Sequence, residues 1–300
     1  MGMNRREVPR IGMISYGEER LREGGFVTLP LNESFTIDPT RLRPHYHDFF
    51  QVSLLLGEGS LMHDFRESET SGATLFFLSP GQVHTMVPRP RMTGTIVSFT
   101  RGFLEAGAED GFLMNLPFFF TAEHAPWLRL PEDRLPWVEE VFRQLQEEYD
   151  AAPQGAEEVA RCLLRMLFVK AARWYDGESQ VVGRGRQSIL VRRFRHEVEA
   201  HHHEWLTLDP YAKALGVTIN HLHDAVAMET GQAAGEHLRQ RRLLDAKRQL
   251  LHSTMSVSEV GYGLGFADPS YFSRFFKRYE GITPAEFRKQ SREKYQKDPG

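Results

Sequence analysis

The sequence predicts an α+β chain of two domains: an N-terminal β-barrel with helices after it, then an all-helical domain. Three observations carry this. Short apolar runs cut by Gly, Pro and polar turns recur from Phe26 to about Phe103, as FVTLPL, FFQVSLLL, GATLFFLSPG and GTIVSF, the spacing of an antiparallel barrel or jelly roll. From Pro136 to Tyr175 the apolar period becomes helical. The last third matches itself at an offset of 50 residues, the mark of an internal duplication. Three hundred residues leave chain enough for two buried cores.

Residues 1 to about 24 show no clear period. Within the barrel, His45-Tyr46-His47 opens one strand and Pro80-Gly81-Gln82-Val83-His84 follows another. Strand side chains alternate, so His45 and His47 share a face, and Gln51, also odd-numbered, is expected on the same side. After the barrel, one helix presents Val138, Val141, Phe142 and Leu145, and the next Val159, Leu163, Met166, Leu167 and Trp174. Residues 150–155 separate the two helices. Cys162, between Arg161 and Leu163, reads as a buried helical thiol. The glycine-containing stretch 176–187 has little to bury and reads as a linker.

In the helical domain, Asp268 followed by Pro269 reads as a helix start: an N-cap, then the first-turn position that needs no N–H. Phe272, Phe275, Phe276 and Tyr279 follow at helical spacing and form an apolar face. Ser270, Ser273, Arg274 and Lys277 form the opposite face, and Gly281 ends the helix. A short helix over 256–262 precedes it, with residues 263–267 as the turn. The pair fits a helix-turn-helix whose second helix enters the major groove; the alternative is a plain helical hairpin with a solvated charged face.

At the offset of 50, Thr218 matches Asp268, Leu222 matches Phe272, Val226 matches Phe276 and Gly231 matches Gly281. Residues 208–231 thus read as a first helix-turn-helix. A connecting helix over 233–253 follows, with Leu238, Leu244, Leu250 and Leu251 buried. The outer face of the first unit carries Asn220, His223, Asp224 and Ala227. Asn220 suits adenine and Asp224 a cytosine amine, but an acid near phosphates weakens nonspecific affinity. Weak binding, an unusual base pattern and a merely solvated face all stay open for this unit.

The formal net charge of −3 is unevenly spread. Residues 1–187 hold 20 Lys+Arg against 26 Asp+Glu, and residues 188–300 hold 17 against 14. An acidic front and a mildly basic back fit a sensor joined to a DNA binder. One cysteine excludes an internal disulfide. No apolar stretch approaches the ~20 residues of a membrane span, so a cytoplasmic chain without membrane contact is expected. No GxSxG elbow, phosphate loop or paired CxxC is present, and no enzyme activity is expected.

The run GFADPSYFSRFFKRYEGITPAEFR closely resembles the signature of the AraC/XylS family of bacterial transcription regulators, where it covers the second of two helix-turn-helix units. The segments at 45–47 and 80–84 resemble the two motifs of the cupin fold, the usual sensor in many such regulators. The resemblance implies a ligand-responsive, sequence-specific DNA-binding regulator. Its cupin-like barrel at 1–135 holds the effector, helices 136–175 form a homodimer, and 188–292 bind DNA, with 293–300 as a tail. Operator DNA is expected at Asn220, His223, Asp224, Ser270, Ser273, Arg274 and Lys277. A small organic effector, a sugar or an aromatic acid, is expected at His45, His47, Phe49, Gln51 and His84. RNA polymerase is an implied partner.

Two departures matter. Family members usually carry Arg or Lys where Asp224 and Ala227 stand. Metal-binding cupins place glutamate where Gln51 stands, and an amide is the poorer ligand for a hard cation, so no metal or other cofactor is expected. A metal-dependent cupin enzyme, and a barrel that serves only assembly, remain the alternative readings. The run His201-His202-His203 is expected to be a solvated helix end, because consecutive helical positions face apart.

Overall fold

Phe50–Leu56 is buried on both faces, and the first half of the chain is layered around it. The computed structural model describes residues 10–11, 25–37, 39–107, 111–113, 116–119, 126–178, 189–204 and 206–295. The chain divides near residue 180 into two compact units.

The first unit contains strands β1 (Arg10–Ile11), β2 (Phe26–Pro30), β3 (Tyr46–His47), β4 (Phe50–Leu56), β5 (Gly59–His63), β6 (Arg66–Thr70), β7 (Ala73–Leu78), β8 (His84–Pro88), β9 (Thr93–Phe99) and β10 (Trp127–Arg129). Its helices are α1 (Leu31–Ile37), α2 (Arg101–Glu105), α3 (Leu135–Ala151) and α4 (Ala156–Glu178). The expected barrel is built as two antiparallel sheets, one in the order β10-β7-β4-β9-β2 and one in the order β6-β5-β8. A short parallel pair joins β1 to β3.

Alternation assigns the two faces of β4. Phe50, Val52 and Leu54 share a core with Val138, Phe142 and Leu145 of α3 and with Leu164 and Phe168 of α4. Leu55 points the other way and packs with Phe76, Leu78 and Ile96 against Leu61 and Met86 of the smaller sheet. The helices therefore cover the outside of the larger sheet, and the space between the sheets is a separate interior.

Helix α3 buries Val138, Val141, Phe142 and Leu145, as its period requires. Helix α4 does not follow the expected face. Leu163 and Leu167 are buried, but so are Ala160, Leu164, Phe168 and Ala171, whereas Val159 and Met166 are 43% and 41% exposed. Cys162 is also exposed, not buried. Two arginines explain the rotation: Arg161 Nε donates to the Phe103 carbonyl at 2.7 Å, and Arg165 Nε to that of Leu104 at 3.0 Å. The packed side of α4 thus absorbs cations by bonding the carbonyls of α2. Helix α4 also runs through to Glu178, into the stretch expected as linker; residues 179–188 lie outside the described ones.

The second unit is helical: α5 (Ile189–His201), α6 (Leu208–Leu215), α7 (Ile219–Thr230), α8 (Ala234–His252), α9 (Val257–Gly263), α10 (Pro269–Glu280) and α11 (Pro284–Tyr295). Helices α5, α6 and α7 and the start of α8 share one core through Phe194, Val198, Tyr211, Leu222, Val226 and Leu238. Farther along α8, Leu250 and Leu251 are buried, while Leu244, expected inside, is half-buried. Arg288 and Arg292 of α11 donate to the carbonyls of Leu250 and Ser253, at 3.0 and 2.8 Å. Those carbonyls belong to the end of α8, where a helix lacks internal donors. Among the described residues no helix is long and apolar enough to cross a membrane.

Candidate nucleic-acid interface and effector site

Helix α10 is specified at both ends. The Asp268 carboxylate accepts from the Ser270 N–H at 2.8 Å, Pro269 takes the first position, and Gly281 closes the helix at φ 86°. Phe272 and Phe276 are fully buried, which turns Ser270, Arg274 and Lys277 outward, with Ser273 half-buried. The Arg274 side chain is 71% exposed and lies 4.0 Å from Asp268. The expected apolar face is narrower than its spacing suggests. Phe275 is half-buried and Tyr279 is 38% exposed; both flank the core, beside the guanidinium groups of Arg242 and Arg239, respectively. Helix α9 before it begins with a reciprocal cap between Ser256 and Glu259.

Helix α7 repeats this construction 50 residues earlier. Thr218 accepts from the His221 N–H at 3.2 Å, Gly231 closes the helix at φ 74°, and Leu222 and Val226 are fully buried. Asn220, His223 and Asp224 stand on the exposed side. His223 Nδ1 lies 3.7 Å from the Asp224 carboxylate. Ile219 and Met228 are also exposed, at 42% and 87%, and give this surface an apolar component that the polar stripe hides. A groove of about 710 Å³ beside α10 is lined by Arg239, Arg242, Arg274, Arg278, Phe275 and Tyr279, among others. It sets positive charge next to the exposed helix.

In the first unit, backbone pairing brings the two histidine segments together. His45 and His84 exchange both N–H···O bonds at 2.9 Å, and the Gly81 N–H donates to the His47 carbonyl at 2.8 Å. Gly81 sits at φ 77°, a turn geometry that favours glycine. The ring of His84 lies 4.2 Å from that of His45 and 4.8 Å from that of His47, centroid to centroid. Phe49 stacks on His47 at 4.1 Å. All four are buried.

Gln51 has the parity of Leu55 in β4 and so faces the space between the two sheets, although the strand is interrupted between His47 and Phe50. Gln51 is buried in β4, opposite Ser98 and Leu78, and its amide donates to Ser53 Oγ at 3.1 Å. His63, paired with His84 between β5 and β8, joins the cluster, as does buried Arg41, whose charge acts on His47. Neither was signalled in the sequence: only the strand register reveals His63, and a buried arginine has no local mark.

Burial, and then the nearby His45, push the pKa of His47 down to about 3, with the Phe49 backbone opposing. Burial likewise holds His84 well below the ordinary value, with His45 and His47 adding to it. Both rings are therefore neutral at pH 7. Neither nitrogen of His47 makes a hydrogen bond of normal geometry. His47 and His84 offer a ligand neutral rings beside the aromatic face of Phe49, with the charge of Arg41 nearby.

Residues 36–167 match the family described as AraC-like ligand binding domain, and residues 211–290 match a helix-turn-helix domain. The HTH-type transcriptional activator RhaR of Enterobacter sp. (strain 638) is 25% identical over 249 residues, 83% of this chain and 87% of the relative. RhaR of Salmonella typhi is 27% identical over 176 residues, 58% of this chain and 61% of the relative, so this alignment spans less than two thirds of that protein. A solved structure of ToxT from Vibrio cholerae aligns with 88% of this chain and 98% of its own at 14% identity and a TM-score of 0.41.

The neutral histidines set an acid sensitivity. An unfolded histidine titrates near 6.5, well above His47 in the folded chain, so below that pH the unfolded state binds more protons. The first unit should lose about 1.4 kcal/mol of stability per pH unit for His47 alone as pH falls from 6.5 toward 3. Urea titrations at pH 7, 6 and 5 measure this slope, and His47→Gln should make it shallower. A slope unchanged by the substitution would contradict the assignment.

Proposed function

Because this chain belongs to the AraC family of transcription regulators, we propose that α10 carries the specific reading of its operator, with α7 in the adjacent groove, and that a small organic effector held by the first unit modulates that binding. One observation supports the DNA reading most: Ser270, Arg274 and Lys277 are displayed on a helix whose opposite residues, Phe272 and Phe276, are fully buried. Side chains near the start of such a helix meet base edges. Ser270, Ser273 and Arg274 hold that place, and Lys277, a turn farther on, suits a phosphate. Asn220, His223 and Asp224 take the corresponding role in α7.

The effector reading rests on His45, His47 and His84, with Phe49 and Gln51 beside them. An unsatisfied polar group inside a cavity costs about 1–3 kcal/mol, so a ligand that bonds these groups is selected over one that does not. A polar compound with a flat face, an aromatic acid or a sugar ring, suits the His47–Phe49 stack. It changes DNA binding only by its differential affinity for the two states of the protein.

The outer face of α4 supports a homodimer. Val159, Cys162 and Met166 recur at helical spacing, all exposed, and with Leu163 line an apolar cleft of about 330 Å³. Exposed apolar stripes of this kind mark contact surfaces. The effector domain then covers residues 1–135, the dimer segment 136–175 and the DNA-binding domain 188–292. The relatives named transcriptional activators suggest that the chain, bound to its operator in the cytoplasm, engages RNA polymerase and raises transcription rather than catalysing a reaction.

Arg274→Ala should weaken operator binding by about 1–3 kcal/mol and relax selectivity at one base pair, measured by gel-shift titration at fixed salt; unchanged affinity would contradict the role of α10. Native mass spectrometry tests the rest. Wild type should appear as a dimer carrying a small molecule, Met166→Asp as a monomer, and His47→Ala as a dimer without the small molecule. A bare monomer in wild type would contradict both proposals.

A further inference from the structure

The histidine run does not form a solvated helix end. Helix α5 stops at His201, and the turn after it brings the next two rings together, 3.9 Å between centroids. His202 is buried, 3% exposed. Both rings face Asp245 of α8: His202 Nε2 lies 3.5 Å and His203 Nε2 3.2 Å from the same oxygen, Oδ2. Among the described residues these three form a set in which one ligand atom of each lies within 4.8 Å of the others.

The hydrogen bonds of His202 fix its tautomer. Its Nδ1 lies 3.1 Å from the carbonyl oxygens of both Val198 and Glu199. Carbonyls only accept, so Nδ1 carries the proton and Nε2 of the neutral ring is a bare lone pair. That lone pair is buried, makes no hydrogen bond of normal geometry, and faces a carboxylate oxygen that is itself an acceptor. The arrangement calls for a cation: a second proton on the ring, or a metal ion.

The spacing favours the ion. With zinc–ligand bonds of about 2.0–2.2 Å, a tetrahedral site holds its ligand atoms roughly 3.3–3.5 Å apart, close to the two distances here. Metal-bound histidines donate their other N–H to a backbone carbonyl or carboxylate, and ligating carboxylates are themselves hydrogen-bonded. His202 Nδ1 does the first; Asp245 does the second, accepting from Gln249 Nε2 at 3.2 Å. His203 has a 42% exposed side chain, which opens the cluster to an entering ion and to a water as fourth ligand. Of the neighbouring cations, Arg241 pairs with Glu199 at 2.9 Å while its charge also acts on Asp245, and Arg242 bonds the Leu264 carbonyl at 3.0 Å.

We propose that His202, His203 and Asp245 form a binding site for a zinc-class divalent ion, two imidazoles and one carboxylate, that ties the end of α5 to the middle of α8. The ion fastens the first helix-turn-helix core, to which α5 belongs, to the connecting helix. The turn of the second unit meets the same corner: a Cβ at Gly265 would lie 2.2 Å from the His203 carbonyl oxygen. Metal occupancy therefore stiffens the joint between the two DNA-reading units.

Calorimetric titration of the EDTA-treated, dialysed full chain with Zn²⁺ at pH 7.5 tests this. Wild type should take up one equivalent, and Asp245→Asn should weaken it by more than the roughly 10–100-fold that loss of a supporting hydrogen bond causes. Because Asp245 is largely enclosed, His203→Ala at the more exposed position serves as a second variant, with circular dichroism confirming its fold; it should weaken uptake likewise. His47→Ala should keep the equivalent. Loss of zinc in His47→Ala with retention in Asp245→Asn would place the ion among the histidines of the first unit and overturn the proposal. So would a wild-type chain that takes up no zinc, which would leave a second proton as the cation between His202 and Asp245.

Discussion

The relation between the two helix-turn-helix units depends on Arg242. It stands on α8, is 7% exposed, donates NH2 to the Leu264 carbonyl in the turn of the second unit, and lies over the Phe266 ring at 4.2 Å. A buried guanidinium without such partners is strongly unfavourable, whereas one bonded to a carbonyl and stacked on an aromatic face is a specific clasp. On the same helix Leu238 belongs to the first core, while the carbonyl of Leu250 accepts from Arg288 of α11. Helix α8 is thus shared between the two helix-turn-helix units, and helices α7 and α10 inherit their separation from it.

The first unit is built on a different compromise. Its larger sheet turns one face to α3 and α4 through a continuous phenylalanine cluster that includes Phe77, Phe118, Phe119 and Phe168. Its other face is partly polar. Gln51, Ser53 and Ser98 are buried there, and the histidine segments are held together by backbone bonds rather than by packing. Backbone bonds fix where His45 and His84 sit, and each ring is oriented further through its Nδ1, that of His45 on the Arg43 carbonyl and that of His84 on the Gln82 carbonyl. Such an interior gives up some stability in return for recognition.

Features set by local hydrogen bonding were legible in the sequence. Thr218, Asp268 with Pro269, and the glycines at 231 and 281 mark the ends of α7 and α10, because a cap needs only its own few residues. The duplication, the sheet-rich first unit and the outward display of Ser270 and Arg274 followed from the same kind of pattern. Features set by tertiary pairing were not. The run from Val159 to Trp174 is apolar nearly all round, so its period leaves the buried side open, and Arg161 and Arg165 turn it toward carbonyls the sequence does not place nearby. That rotation exposes Cys162. His202 lies just past the end of α5, and Asp245, which it faces, lies more than forty positions away, beyond the reach of any spacing rule.

Two units of one construction, held by a shared helix, are proposed to read two successive segments of the major groove, which hydroxyl-radical footprinting of the wild-type protein on its operator tests. Each protomer should give two protected patches on one face of the duplex, about one helical turn or ~34 Å apart. Protection of a single patch per protomer would contradict it and leave α7, with its Asp224, as a structural copy that does not touch DNA.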